Sequence, residues 1–141
     1  MKKLFPAAIS AFCILVFAAC GNSGQSSTSS SPASSAAESG ESVYKRTCIT
    51  CHQATGAGIA GTYPPLAKSD FLADRDKTIA QVIKGYMGEL VVNGVKYNSV
   101  MPAQPLTDDE IAAVLTYVYS SFGNSGPAVS TADVKAVRSR L

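Results

Sequence analysis

At 141 residues the chain has room for one domain and its flanking segments. It has 12 Lys+Arg against 10 Asp+Glu, a formal charge of +2, with no basic stripe and no block of like charge, which argues against a nucleic-acid binder. Lys2 and Lys3 lie in a segment expected to be removed; without them the balance is 10 against 10, close to neutral.

The N-terminus is a short positive start followed by an apolar run over residues 4–19, interrupted by Ser10 and with Pro6 early in it. That run is shorter than the ~20 residues a helix needs to cross a hydrocarbon core. It has the charged, apolar and small-residue parts of a secretory signal. Its end, Phe17-Ala18-Ala19-Cys20-Gly21, resembles the bacterial lipobox, although that motif usually has Leu where this chain has Phe17. The resemblance implies a signal peptide over 1–19 and a lipid on Cys20, which would hold the protein to a membrane of the cell envelope, facing periplasm or exterior. The alternative is an ordinary signal peptide with an incidental cysteine.

Residues 21–39 include nine serines among nineteen positions and almost no large apolar side chain. Such a segment cannot bury enough surface to offset the entropy of ordering, so 20–39 is expected to be a flexible tether. Its r.m.s. reach is about 24 Å.

A folded domain is expected over 40–126. The pattern predicts a helix over 40–50, capped by Ser39, with Val43 and Tyr44 inward and Lys45 and Arg46 outward. Ile79, Val82, Ile83 and Tyr86 recur at helical spacing and predict a second helix over 76–87, stopped by Gly85 and Gly88. Asn93-Gly94 between short β-branched runs predicts a type I′ hairpin. Thr107-Asp108-Asp109-Glu110 is a capping box, opening a helix that buries Ile111, Val114, Leu115 and Val118 and runs to about Phe122. Residues 127–141 read as a basic tail, loosely structured or helical.

The chemistry is concentrated in Cys48-Ile49-Thr50-Cys51-His52. CxxCH is the attachment signature of c-type haem. Two thiols three positions apart on one turn can each form a thioether with a haem vinyl group, and the next residue then directs its imidazole at the iron. A thioredoxin-like redox pair would need a βαβ setting, which the pattern lacks. A zinc site would need four ligands, and His52 is the chain's one histidine. A disulfide framework of all four cysteines fails because Cys13 and Cys20 belong to the export segment. The second axial ligand is expected from a methionine. Met101, followed by Pro102 in a segment with few helix formers, is preferred over Met87, which ends an apolar helical stripe and reads as core packing or an exposed gap-filler.

From Gly40 to about Phe122 the sequence resembles class I cytochrome c. The resemblance rests on CxxCH with Met101-Pro102 some fifty residues later, on Gly40 and Tyr44 in the first helix, on Tyr117 in the last, and on Tyr63-Pro64-Pro65-Leu66. It implies an all-α fold of about three main helices around one covalent haem c, plus a small hairpin. Gly40 would admit the last helix at close range, with Tyr117 as the aromatic partner of Tyr44. The Pro64 carbonyl would accept a hydrogen bond from the second nitrogen of His52, and Leu66 would pack on the haem. The stretch from Asn93-Gly94 to Met101-Pro102 is also similar to cytochrome c domains that are fused to, or serve, copper nitrite reductases.

The expected function is one-electron transfer, not an enzyme's turnover of substrate, because His52 and Met101 would fill both axial positions. The expected partners are a redox donor and acceptor, with a copper nitrite reductase or a terminal oxidase as candidates, and the membrane through the lipid anchor. The alternatives are an electron-entry subunit of a reductase or dehydrogenase complex, and a haem-based sensor in which Met101 dissociates. A domain of roughly ninety residues has a thin core, so haem is expected to supply much of its stability.

Overall fold

A computed structural model describes residues 38–141. The expected signal peptide, Cys20 and nearly all of the 20–39 tether lie outside the described residues.

Helix α1 (Gly40–Thr47) starts where the Ser39 hydroxyl accepts the Ser42 N–H at 3.2 Å. Glu41 in its first turn and Lys45 and Arg46 in its last complement the helix dipole. The chain then breaks at Cys48, with φ −105°, and resumes as the single turn α2 (Ile49–His52). The one helix expected over 40–50 is therefore two, and the break falls on the first cysteine of the motif.

A 3₁₀ turn (Asp70–Ala73), which has no apolar period to announce it, leads into α3 (Arg75–Lys84). The Asp74 carboxylate accepts the Lys77 N–H at 3.0 Å and caps the helix. The helix expected as far as residue 87 stops at Gly85, whose φ of +75° is left-handed. Tyr86 thereby leaves the stripe and pairs, antiparallel, with Met101.

Strands β1 (Leu90–Val92) and β2 (Val95–Tyr97) form the hairpin, Val92 facing Val95. Asn93 and Gly94 carry φ of +52° and +77°, the positive pair a type I′ turn requires. The hairpin is tied back to the 3₁₀ turn by two reciprocal bonds. The Asp70 N–H donates to Asn93 Oδ1 at 2.9 Å, and the Asn93 N–H donates to Asp70 Oδ1 at 2.8 Å.

Helix α4 (Asp108–Ser120) opens with the full capping box: Thr107 Oγ1 accepts the Glu110 N–H at 3.2 Å, and Glu110 Oε2 accepts the Thr107 N–H at 2.7 Å. It ends at Ser120, short of Phe122, because the Ser121 backbone is extended, with φ −118° and ψ 175°; Phe122 and Gly123 then adopt left-handed φ. Its inward face buries Ile111, Val114, Leu115 and Val118. α1 crosses it at Gly40, where an added Cβ would lie 2.8 Å from Tyr117 Cβ and 2.7 Å from the Ala113 carbonyl carbon. Beside the crossing, the rings of Tyr44, Tyr117 and Phe122 lie with centroids 5.1–5.6 Å apart.

The folded region does not end at Gly126. Helix α5 (Thr131–Arg138) follows, begun by a second capping box between Ser130 and Asp133. Val129, Val134 and Val137 are buried in the same core as α4. Arg75–Asp133, Arg138–Asp108 and Arg140–Asp76 pairs at 3.1, 2.8 and 2.9 Å link this helix region to α3 and α4. The segment 127–141, expected to be loosely structured or helical, is helical over Thr131–Arg138 and packs against the core. Its apolar period is only three valines long, too short to read without the surface that covers it. Among the described residues the architecture is mainly helical with one small hairpin, as the resemblance to class I cytochrome c implies.

Candidate functional site

Cys48, Cys51, His52, Pro64, Leu66 and Met101 all line one cavity of about 220 Å³, lined elsewhere mainly by apolar side chains from α3, the hairpin and α4. α2 supplies Cys51 and His52, with Cys48 at its cap, so the motif sits on one side of the cavity. The loop after it returns to the helix through Gly58 N–H to His52 O at 3.0 Å and Leu66 N–H to Gly56 O at 2.7 Å. That turn brings the Pro64 carbonyl to 3.0 Å from His52 Nδ1. A carbonyl can only accept, so Nδ1 carries the proton and Nε2 keeps its lone pair free for a metal. Burial lowers the His52 pKa, against the opposing effect of the Pro64 bond, and so keeps the ring neutral. Burial, reinforced by the nearby Cys51, pushes the Cys48 thiol up to about 11. That is the opposite of the lowered value expected of a redox-active CxxC pair.

Met101 is held from α3 and from the segment just after it. Its N–H and carbonyl exchange hydrogen bonds with Tyr86 at 2.9 and 2.7 Å, and Gln104 N–H reaches Val82 O at 3.0 Å. Its sulfur accepts from Gln81 Nε2 at 3.5 Å. Met87 is 79% exposed and does not line the cavity. The placement of the two methionines follows from Gly85: the left-handed turn ends α3, throws Met87 outward, and leaves an edge on which Met101 docks.

The residues fit a covalently attached haem. Two thiols and an oriented imidazole lie on or at the cap of one element, a thioether is fixed on another segment, and the remaining lining is mostly apolar, with Thr78 and Gln81 among its polar side chains. Sequence reasoning did not find Gln81 or Asn124, and it read Tyr86 as part of a helical stripe rather than as the partner of Met101. Gln81 precedes Val82 at the edge of the apolar stripe, and that position is its one sequence hint. Asn124 donates to both Leu66 O and Val118 O at 2.9 Å, binding the Pro-Pro-Leu segment to α4 across a separation no local pattern reveals.

Comparison with known proteins agrees with this geometry. Residues 35–118 match the family model described as "Cytochrome C oxidase, cbb3-type, subunit III". Cytochrome c-552 of Thermus thermophilus is 39% identical over 92 residues, covering 61% of this chain and 70% of that protein. For the cytochrome c-552 of a particular strain of Thermus thermophilus, also 39% identical over 92 residues, the covered share of the relative is 62%. The fructose dehydrogenase cytochrome subunit of Gluconobacter japonicus is 34% identical over 112 residues, 70% of this chain but 22% of that protein. With a family match over more than half its length, the chain belongs to the cytochrome c family, under the model described as cbb3-type cytochrome c oxidase subunit III.

Proposed function

We propose that this cytochrome holds its haem c through Cys48 and Cys51, ligates the iron with His52 and Met101, and shuttles single electrons from a lipid anchor on the outer face of a bacterial membrane. Membership of the family makes it a haem-based electron-transfer protein with redox partners. The observation that carries the residue assignment is the convergence of Cys48, Cys51, the Pro64-oriented His52 and the Tyr86-clamped Met101 on one apolar cavity. When bound, the haem supplies a one-electron iron couple, and a His/Met ligand pair sets that couple high. The chain's own residues keep the imidazole neutral and orient both ligands.

The partner-facing surface is read as uncharged. The Tyr86–Met101 pairing sets Met87 beside Val100, and both are exposed, at 79% and 57%. Ile49, Thr50, Ala54, Ala103 and Gln104 also carry no charge, and on the hairpin Lys96 is paired with Glu89 at 3.0 Å. This favours an apolar contact, with the tether's local concentration replacing long-range attraction. A copper nitrite reductase and a terminal oxidase are the candidate acceptors.

The electron-entry reading is favoured by the Gluconobacter relatives, which are cytochrome subunits of dehydrogenases and of which this chain spans 22%. Stable co-purification with a large catalytic subunit would select it over a free carrier.

A denaturing gel stained for haem should keep the colour with the polypeptide, and Met101→Ala should abolish the weak far-red sulfur-to-iron band that Met87→Ala leaves intact. Haem extracted by acidified acetone, or the reverse behaviour of the two methionines, would overturn the assignment. The anchor is tested separately: Cys20→Ser should release the exported protein from membranes, and a wild-type protein that is soluble and carries no acyl mass refutes it.

A further inference from the structure

Gln81 stands on α3, half-buried, with its carboxamide turned into the cavity. Its Nε2 lies 3.5 Å from Met101 Sδ, within hydrogen-bond range for sulfur. A thioether can only accept, so the amide presents N–H and not oxygen to it. Thr78, the other polar α3 side chain at this cavity, is already committed, its hydroxyl donating to Asp74 O at 2.8 Å. Two residues past the end of that helix, Tyr86 exchanges backbone hydrogen bonds with Met101, and Val82 on the helix accepts the Gln104 N–H three residues beyond the methionine. Met101 is therefore held twice, at its backbone by Tyr86 just beyond the helix and at its sulfur by Gln81 on α3.

We infer that Gln81 is a positioning residue for the Met101 thioether, holding one sulfur lone pair so that the other faces the iron, and raising the reduction potential by withdrawing electron density from the ligand. A thioether sulfur bears two lone pairs and two carbon substituents, so two ligation geometries of opposite hand are available to it. A donor fixed on one lone pair removes that choice. The bond also makes sulfur a poorer donor, and ferric iron loses more by this than ferrous iron, so the reduced state is favoured. The inference rests on the reading of Met101 as axial ligand.

The test uses the haem-loaded protein. Gln81→Leu keeps the bulk and removes the donor. The expected result is a retained far-red band, with its circular dichroism altered, and a redox equilibrium shifted about three- to tenfold towards ferric, where tenfold is about 59 mV for one electron. Gln81→Asn, one methylene too short to reach, should shift the same way. In the ferrous wild-type protein, NMR should show a nuclear Overhauser contact between the Gln81 side-chain amide and the Met101 methyl. An intact band with an unchanged potential in Gln81→Leu, or no such contact in the wild type, overturns the inference alone. A far-red band that survives Met101→Ala overturns the ligand assignment and this inference with it.

Discussion

Gly58 packs against Pro64 with no room for a side chain: a methyl group there would stand 2.6 Å from the carbonyl oxygen that faces His52. Gly58 also holds φ of +66°, which an L side chain adopts only with strain. The orientation of the imidazole thus depends on a glycine outside the CxxCH motif, six residues beyond the histidine.

Gly58→Ala is accordingly expected to destabilise the folded protein by about 1–3 kcal/mol and to loosen the His52–Pro64 bond. Guanidinium unfolding of the haem-loaded protein, with its midpoint potential measured alongside, checks both parts. A variant with wild-type stability and potential would show that the carbonyl can move without consequence.

Gly40→Ala separates two physical effects by sign. Helix propensity alone predicts a gain of roughly 0.5–1 kcal/mol. The closeness of Ala113 and Tyr117 predicts a loss of about 1–3 kcal/mol, because α1 must be levered away from α4. A lower thermal midpoint is expected; a higher one would mean the crossing is looser than it stands here.

The terminal helix should matter to stability. Val134 is fully buried, and Val134→Ala is expected to cost about 2 kcal/mol. Ending the chain after Gly126 should cost more and leave the α4 surface uncovered. Wild-type melting of the truncated protein would return residues 127–141 to the status of a tail.

Acid should loosen both capping boxes. The bonds from Thr107 hold the Glu110 carboxyl below its usual value, and those from Ser130 do the same for Asp133. A carboxyl depressed in the folded state contributes stability that is present above its unfolded pKa and disappears as pH falls through the folded one. For these groups that window begins near their ordinary values of 4.5 and 3.8 and extends below them. Melts between pH 6 and pH 2 should therefore fall less steeply for Asp133→Asn, already weaker at pH 6, than for the wild type. Parallel curves would count against the coupling.

Electron transfer to the physiological partner should vary little with salt. Screening shortens from about 30 Å at 0.01 M to about 10 Å at 0.1 M, so charge-steered docking would slow steeply across that range. Stopped-flow rates within about twofold of each other would fit the uncharged face around Met87 and Val100. A steep loss would mean that charged side chains govern the encounter.

Signals that act over a few residues were readable from the order of amino acids. The Thr107–Glu110 capping box, the Asn93-Gly94 turn, the stripe through Ile79 and Val82, and the CxxCH spacing each specify their geometry within one or two turns of chain. The CxxCH spacing pointed to the haem, Pro102 and a helix-poor segment to Met101, and the resemblance to class I cytochrome c to the fold class. What remained hidden depends on contacts between segments far apart in the chain. Gly85 could be seen as a helix stop, but not as the edge on which Met101 docks beside Gln81. Asn124 joins Leu66 to Val118 across 58 positions in one direction and 6 in the other. The valines of α5 gain their meaning only from α3 and α4, because three apolar residues cannot define a buried face until another surface removes them from water.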